Sequence, residues 1–149
     1  MEFRLASDQD IETVLKHPEI WGRVSSDTTV PADEWAINRF GLYLGGYVDD
    51  DVVAVMVFHE IADKVGQCHI HTLPEVRKQY ASQFAEGALE WYWTYFDHDS
   101  LIAEIPTLYP DVIGFTKKFG FKEVGVGRTQ FLKSGQLYDK VVLKLERVA

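Results

Sequence analysis

The stretch from Gly66 to Ile105 constrains the fold more than any other part of this sequence. It reads as a strand (Gly66–Leu73), a stop at Pro74-Glu75, a long helix (Val76–Phe96) and a second strand (Leu101–Ile105) closed by Pro106. Within the helix Phe84, Ala88, Trp91, Tyr92 and Tyr95 recur at spacings of three and four, the signature of one buried face. Strand, helix and strand in succession call for a right-handed crossover that leaves the two strands parallel.

The flanking segments read as antiparallel. Val52–Ile61 contains VVAVMVF, a β-branched apolar run without helical period, which predicts a strand buried on both faces. Leu42–Val48 precedes it across the turn Asp49-Asp50-Asp51, giving a hairpin. Glu2–Ala6 is a short strand, and Ser7-Asp8-Gln9-Asp10 is a helix start with acids in the first turn. That helix carries Ile11, Val14 and Leu15 on one face and ends before His17-Pro18. Ser25–Pro31 reads as loop, and Asp33 as the cap of a short helix holding Trp35, Ile37 and Phe40. Downstream, Asp111–Phe119 is a short helix stopped by Gly120. Gly127–Lys133 and Gln136–Glu146 form a hairpin turned at Ser134-Gly135. The fold class is therefore α/β in the α+β sense: a mostly antiparallel twisted sheet around one parallel β-α-β unit. No repeat or linker interrupts the 149 residues, so a single domain over 1–149 is expected.

With 23 acidic against 15 basic side chains, the formal charge of −8 speaks against nucleic acid as a partner. No apolar run reaches the roughly 18 residues of a membrane span, and the opening MEFRLASDQD lacks a signal-peptide profile. A lone cysteine, Cys68, forms no internal disulfide and fits a reducing, cytoplasmic setting.

Three segments carry a resemblance to a known family. CHIHTLPEVRKQYASQFAEGALEWYW (Cys68–Trp93) resembles the acetyl-CoA segment of the GCN5-related N-acetyltransferases (GNAT), where a strand runs into a glycine-bearing turn that opens a long helix. IPTLYPDVIGFTKKFGFKEVGVGR (Ile105–Arg128) is similar to that family's later short helix with its Gly-Phe ending. RTQFLKSGQLYDKVVLKL is similar to the closing hairpin of the ribosomal-protein N-acetyltransferase branch. The wording HIHTLPEVRKQYA also resembles GNAT-type proteins of tailed bacteriophages.

The resemblance implies the GNAT fold and acetyl-CoA as cofactor. The backbone of His71, Thr72 and Leu73 would pair with the pantetheine arm, which enters between splayed parallel strands. The turn Arg77, Lys78, Gln79, Tyr80, Ala81 and Ser82 would hold the pyrophosphate, because free amides and the helix dipole there favour anions. Arg77 and Lys78 add positive charge where the dipole opposes it. Tyr80 and Ser82 replace the family's two glycines; the tyrosine either blocks the phosphate or turns away and leaves the amides free. The family's proton-donating tyrosine corresponds to Thr116, whose hydroxyl is too weak an acid, so Tyr109 stands in as candidate donor. His71 is the candidate base, since an imidazole titrates near neutrality, with Glu60 second. His59, His69 and His71 lack a supporting carboxylate spacing, so no metal is expected. Two functions follow: acetyl transfer to a small amine or a protein N-terminus, or a GNAT-like module that binds a protein partner, for example in a phage particle, without catalysis.

Overall fold

A computed structural model of the chain describes residues 1–148. Its first strand β1 (Glu2–Leu5) leads into helix α1 (Asp8–Leu15), whose Ser7 cap accepts a hydrogen bond from the Asp10 amide at 3.2 Å. Then come α2 (Pro18–Val24), the hairpin β2 (Leu42–Val48) and β3 (Asp51–Ala62), and β4 (Val65–Thr72). Helix α3 (Arg77–Tyr95) follows a single 3₁₀ turn at Pro74–Val76. Strand β5 (Ser100–Pro106), helix α4 (Pro110–Lys117) and strands β6 (Lys122–Val126), β7 (Phe131–Lys133), β8 (Gln136–Tyr138) and β9 (Lys140–Glu146) complete the order.

Seven strands make one mixed sheet in the order β1-β2-β3-β4-β5-β9-β6, and β7-β8 make a separate two-stranded one. The expected parallel pair is present: Val65–Gln67 of β4 run alongside Ser100–Ile102 of β5. β1 with β2, β2 with β3, β5 with β9 and β6 with β9 are antiparallel.

The chain divides into two compact units. The first comprises Met1–Ser25, Val30–His59 and Cys68–Asp97. Here α1 buries Ile11, Val14 and Leu15 against Ile20, Tyr43 and Val55, and Phe84, Ala88 and Tyr92 of α3 are fully buried. Burial of one such aromatic is worth about 3–5 kcal/mol when judged by its truncation to alanine. The sheet admits α3 closely because β2 carries Gly46, where a Cβ would lie 2.4 Å from the Phe84 ring. As the VVAVMVF run predicts, Val53, Ala54, Val55 and Met56 are all buried.

The second unit comprises Ser26–Thr29, Glu60–Gln67 and the chain from His98 on. Leu101, Ala103, Ile105, Phe121, Phe131 and Leu143 are its buried apolar residues. Asp27 secures it: its carboxylate accepts hydrogen bonds from the Ser134 and Gly135 amides at 2.9 and 2.8 Å, and its own amide donates to the Leu132 carbonyl. Those two amides, Gly135 first, hold the Asp27 carboxyl below the usual carboxylate range. Ser134 and Gly135 take φ of 51° and 76°, the left-handed turn anticipated there.

Several expectations need correction. His17-Pro18 ends α1 but also opens α2, because proline at the first helical position lacks only an amide that would be unpaired anyway. The helix around Trp35, Ile37 and Phe40 does not form: a 3₁₀ turn covers Ala32–Glu34, it has no side-chain cap, and Phe40 is 94% exposed. Tyr95 leaves the buried stripe and is exposed, while Ala85 and Leu89 join it. Of the segment read as a strand over Gly127–Lys133 only Phe131–Lys133 (β7) is one, and a strand that was not expected, β6, lies before it. Gln136–Glu146 breaks at Asp139, whose carbonyl takes the Thr107 amide at 2.8 Å. β8 therefore stays with β7 while β9 joins β5.

Candidate active site

The first unit holds every expected cofactor residue on one continuous stretch, from the end of β4 into α3. Strand geometry narrows what the β4 backbone can offer. The Leu73 amide donates to the Val53 carbonyl of β3 at 2.9 Å, and the Leu73 carbonyl accepts from Val76 at 3.1 Å. Backbone groups alternate sides along a strand, so His71 faces β3 as Leu73 does and Thr72 faces away. Thr72, itself buried, is thus the residue of the three whose amide and carbonyl point off the β3 ladder.

Helix α3 begins without the usual devices. Its cap position is Val76, with no side-chain hydrogen bond, and its first turn contains no acid. Instead Arg77 and Lys78 stand there. The amides here are not all free as expected: the Arg77 amide donates to the Pro74 carbonyl across the 3₁₀ turn, so what this end offers an anion is a positive dipole beside two cations. Tyr80 is half-buried and Ser82 exposed. Arg77 is not idle: its Nη1 donates to Glu19 Oε1 of α2 at 3.2 Å. A second polar pair lies alongside. His17 Nδ1 accepts the Glu19 amide at 3.2 Å, so its proton sits on Nε2, which donates to Glu75 Oε1 at 2.7 Å. The Glu75 carboxyl is held below the usual range by its own backbone amide and by His17. Sequence reasoning passed over Glu19 and His17, although Pro18 next to an acid in a first turn is a recognisable helix start.

The candidate proton-handling groups belong to both units. His71 is half-buried beside exposed His69 on β4; burial, with a smaller contribution from His69, pushes its imidazole down to about 3. It is therefore neutral at every physiological pH. A base matched to its task has a pKa near the working pH, so His71 accepts hydrogen bonds far more readily than it holds a proton. Glu60 lies in the second unit, exposed, and is engaged by His98 Nε2 at 3.0 Å. Tyr109, also in the second unit, precedes α4: its carbonyl accepts from Val112 and Ile113, and its ring packs edge-on against Phe131 at 6.2 Å. The Thr116 hydroxyl donates to the Val112 carbonyl at 2.8 Å and is occupied within its own helix. Cys68 is buried and its thiol is pushed up to about 12, which keeps it protonated and unreactive. Among the described residues, no three His, Cys, Asp or Glu side chains gather closely enough to hold a metal ion, and no helix is long and apolar enough to cross a membrane.

No family model matches this sequence, and no curated protein matches it. Solved structures do. The spermidine N-acetyltransferase of Vibrio cholerae in complex with CoA and spermine superposes with a TM-score of 0.79 at 15% identity, covering 97% of this chain and 94% of that one. The chain has the GNAT fold. The ribosomal-protein-alanine N-acetyltransferase of Brucella melitensis matches with a TM-score of 0.70 at 16% identity, over 99% of this chain and 100% of its own. An N-acetyltransferase of Staphylococcus aureus Mu50 matches with a TM-score of 0.73 at 14% identity, over 97% of both. At such low identity the GNAT fold is what the likeness carries.

Proposed function

We propose that this protein is an acyl-CoA-dependent N-acyltransferase that moves an acetyl group from acetyl-CoA to an amine by direct attack of the amine on the thioester. The observation that carries the reading is the start of α3: two cations, no acid and no side-chain cap, placed directly after the end of β4 on a GNAT fold. Arg77 and Lys78 bind the phosphates at this positive helix end. The outward-facing backbone of Thr72 pairs with the pantetheine amides. Among proteins of this fold, one is solved with CoA and a polyamine, which supports a cofactor of that kind.

Juxtaposition of thioester and amine supplies most of the rate in such a scheme, since holding two reactants in line replaces a bimolecular encounter. His71, neutral and partly buried, orients the amine or a water as an acceptor. The amine arrives already deprotonated, and its excess proton leaves to solvent. The departing thiolate takes its proton from solvent. The acceptor is a small amine or a protein N-terminus; the similar structures include one enzyme named for spermidine and one for ribosomal-protein alanine.

Calorimetric titration with acetyl-CoA tests the reading. Binding in the micromolar range, weakened at least about tenfold in Arg77→Ala/Lys78→Ala, is the expected result, because each lost charge-assisted hydrogen bond costs about 1.5–3 kcal/mol. Absence of binding at millimolar cofactor sinks it and leaves the non-catalytic binding module as the alternative.

A further inference from the structure

We propose that Glu19 is a built-in competitor for the cofactor's phosphates: its carboxylate holds the Arg77 guanidinium, and the anionic end of the cofactor displaces it on binding. This inference rests on the acyltransferase reading above and adds to it a residue that sets cofactor affinity.

Arg77 is the first residue of α3, where its charge opposes the positive end of the helix dipole. Glu19 offsets that opposition through one contact, Nη1 to Oε1 at 3.2 Å, with both side chains about half exposed. An exposed pair joined at a single point is weak. A diphosphate carries more charge than one carboxylate and offers several acceptors to the forked guanidinium, so it takes Arg77 from Glu19.

Glu19 cannot then move far away. Its amide is held by His17 Nδ1, and His17 is in turn held by Glu75. The next residue, Ile20, is buried in the core of the first unit, and Trp21 packs edge-on against Trp35 at 6.0 Å. Once Arg77 has turned to the phosphates, the Glu19 carboxylate stays beside a bound polyanion and repels it. Glu19 therefore lowers affinity twice, by occupying Arg77 before binding and by like-charge repulsion after it. The arrangement favours release of the spent cofactor.

The test is calorimetric titration of CoA into wild type, Glu19→Gln, Arg77→Ala and the double variant, with Glu86→Gln as a charge-matched control. Glu86 is exposed on the same helix, further along α3 from Arg77. Glu19→Gln is expected to bind CoA about two- to fivefold tighter than wild type, the range that a surface charge pair spans. Glu86→Gln should bind like wild type, and the Glu19→Gln gain should shrink on the Arg77→Ala background to the part that direct repulsion of the phosphates supplies. Equal or weaker binding by Glu19→Gln, or a gain as large without Arg77 as with it, overturns the inference while leaving the acyltransferase reading intact. If no variant binds CoA at millimolar concentration, the reading falls and the inference falls with it.

Discussion

His71 is the residue at which composition and structure diverge most. An imidazole on a strand beside a second histidine invites a catalytic role, yet burial pushes this one down to about 3. The shift has a consequence for stability. Unfolded, the side chain titrates near its ordinary 6.5; folded, it resists protonation, so protons bind preferentially to the unfolded chain below that pH. Its contribution is thus fully present above pH 6.5 and is lost as pH falls toward 3. Because part of its surface remains open, the loss amounts to a few kcal/mol at most. Denaturant unfolding of wild type against His71→Gln should show wild type losing stability more steeply between pH 6.5 and 4; parallel curves would mean that the imidazole is solvated. Thr116 makes the opposite case. Its hydroxyl is spent on the Val112 carbonyl, so Thr116→Val should leave acetyl transfer unchanged in an assay of CoA release, and a large loss of rate would show the hydroxyl acting in the reaction.

At the scale of elements, close approach between α3 and β2 rests on Gly46. A Cβ there would sit 2.4 and 2.8 Å from two atoms of the fully buried Phe84 ring, so the ring or the sheet would have to shift. Gly46→Ala should destabilise the fold by about 1–3 kcal/mol in urea unfolding, as overpacking does; an unchanged midpoint would show that the sheet yields. Period and punctuation made most elements legible beforehand. The helical stripe with Phe84, Ala88 and Tyr92, the apolar run of β3 and the turn at Ser134-Gly135 each obey one local rule, and each appears where that rule puts it. Failures arose where a rule has two outcomes. Pro18 reads equally as the end of α1 and the start of α2. The break at Asp139 depends on a hydrogen bond from Thr107, 32 positions away, and the Asp27 anchor on partners at 134 and 135. No local pattern announces contacts at such separations.

At the scale of the whole molecule, the GNAT fold was legible because the order of strands and helices is itself a sequence property. The candidate site was legible only in part. Arg77 and Lys78 could be placed at a helix start by counting, but the pairing of Arg77 with an acid on another helix could not. Nor could the sequence show that Leu73 spends both of its backbone groups inside the fold. A scheme without a titrating base near neutrality has a signature in rate: activity should climb with pH through the range in which the acceptor ammonium loses its proton, with no inflection near 6.5. An inflection there that disappears in His71→Gln would contradict it. The acyltransferase reading itself is tested most directly by product analysis after incubation with acetyl-CoA and either spermidine or an alanine-terminated peptide. The account predicts an acetylated amine and one free CoA thiol per product, with turnover reduced at least about tenfold in Arg77→Ala/Lys78→Ala. Tight CoA binding without any acetylated product from either amine class would contradict it.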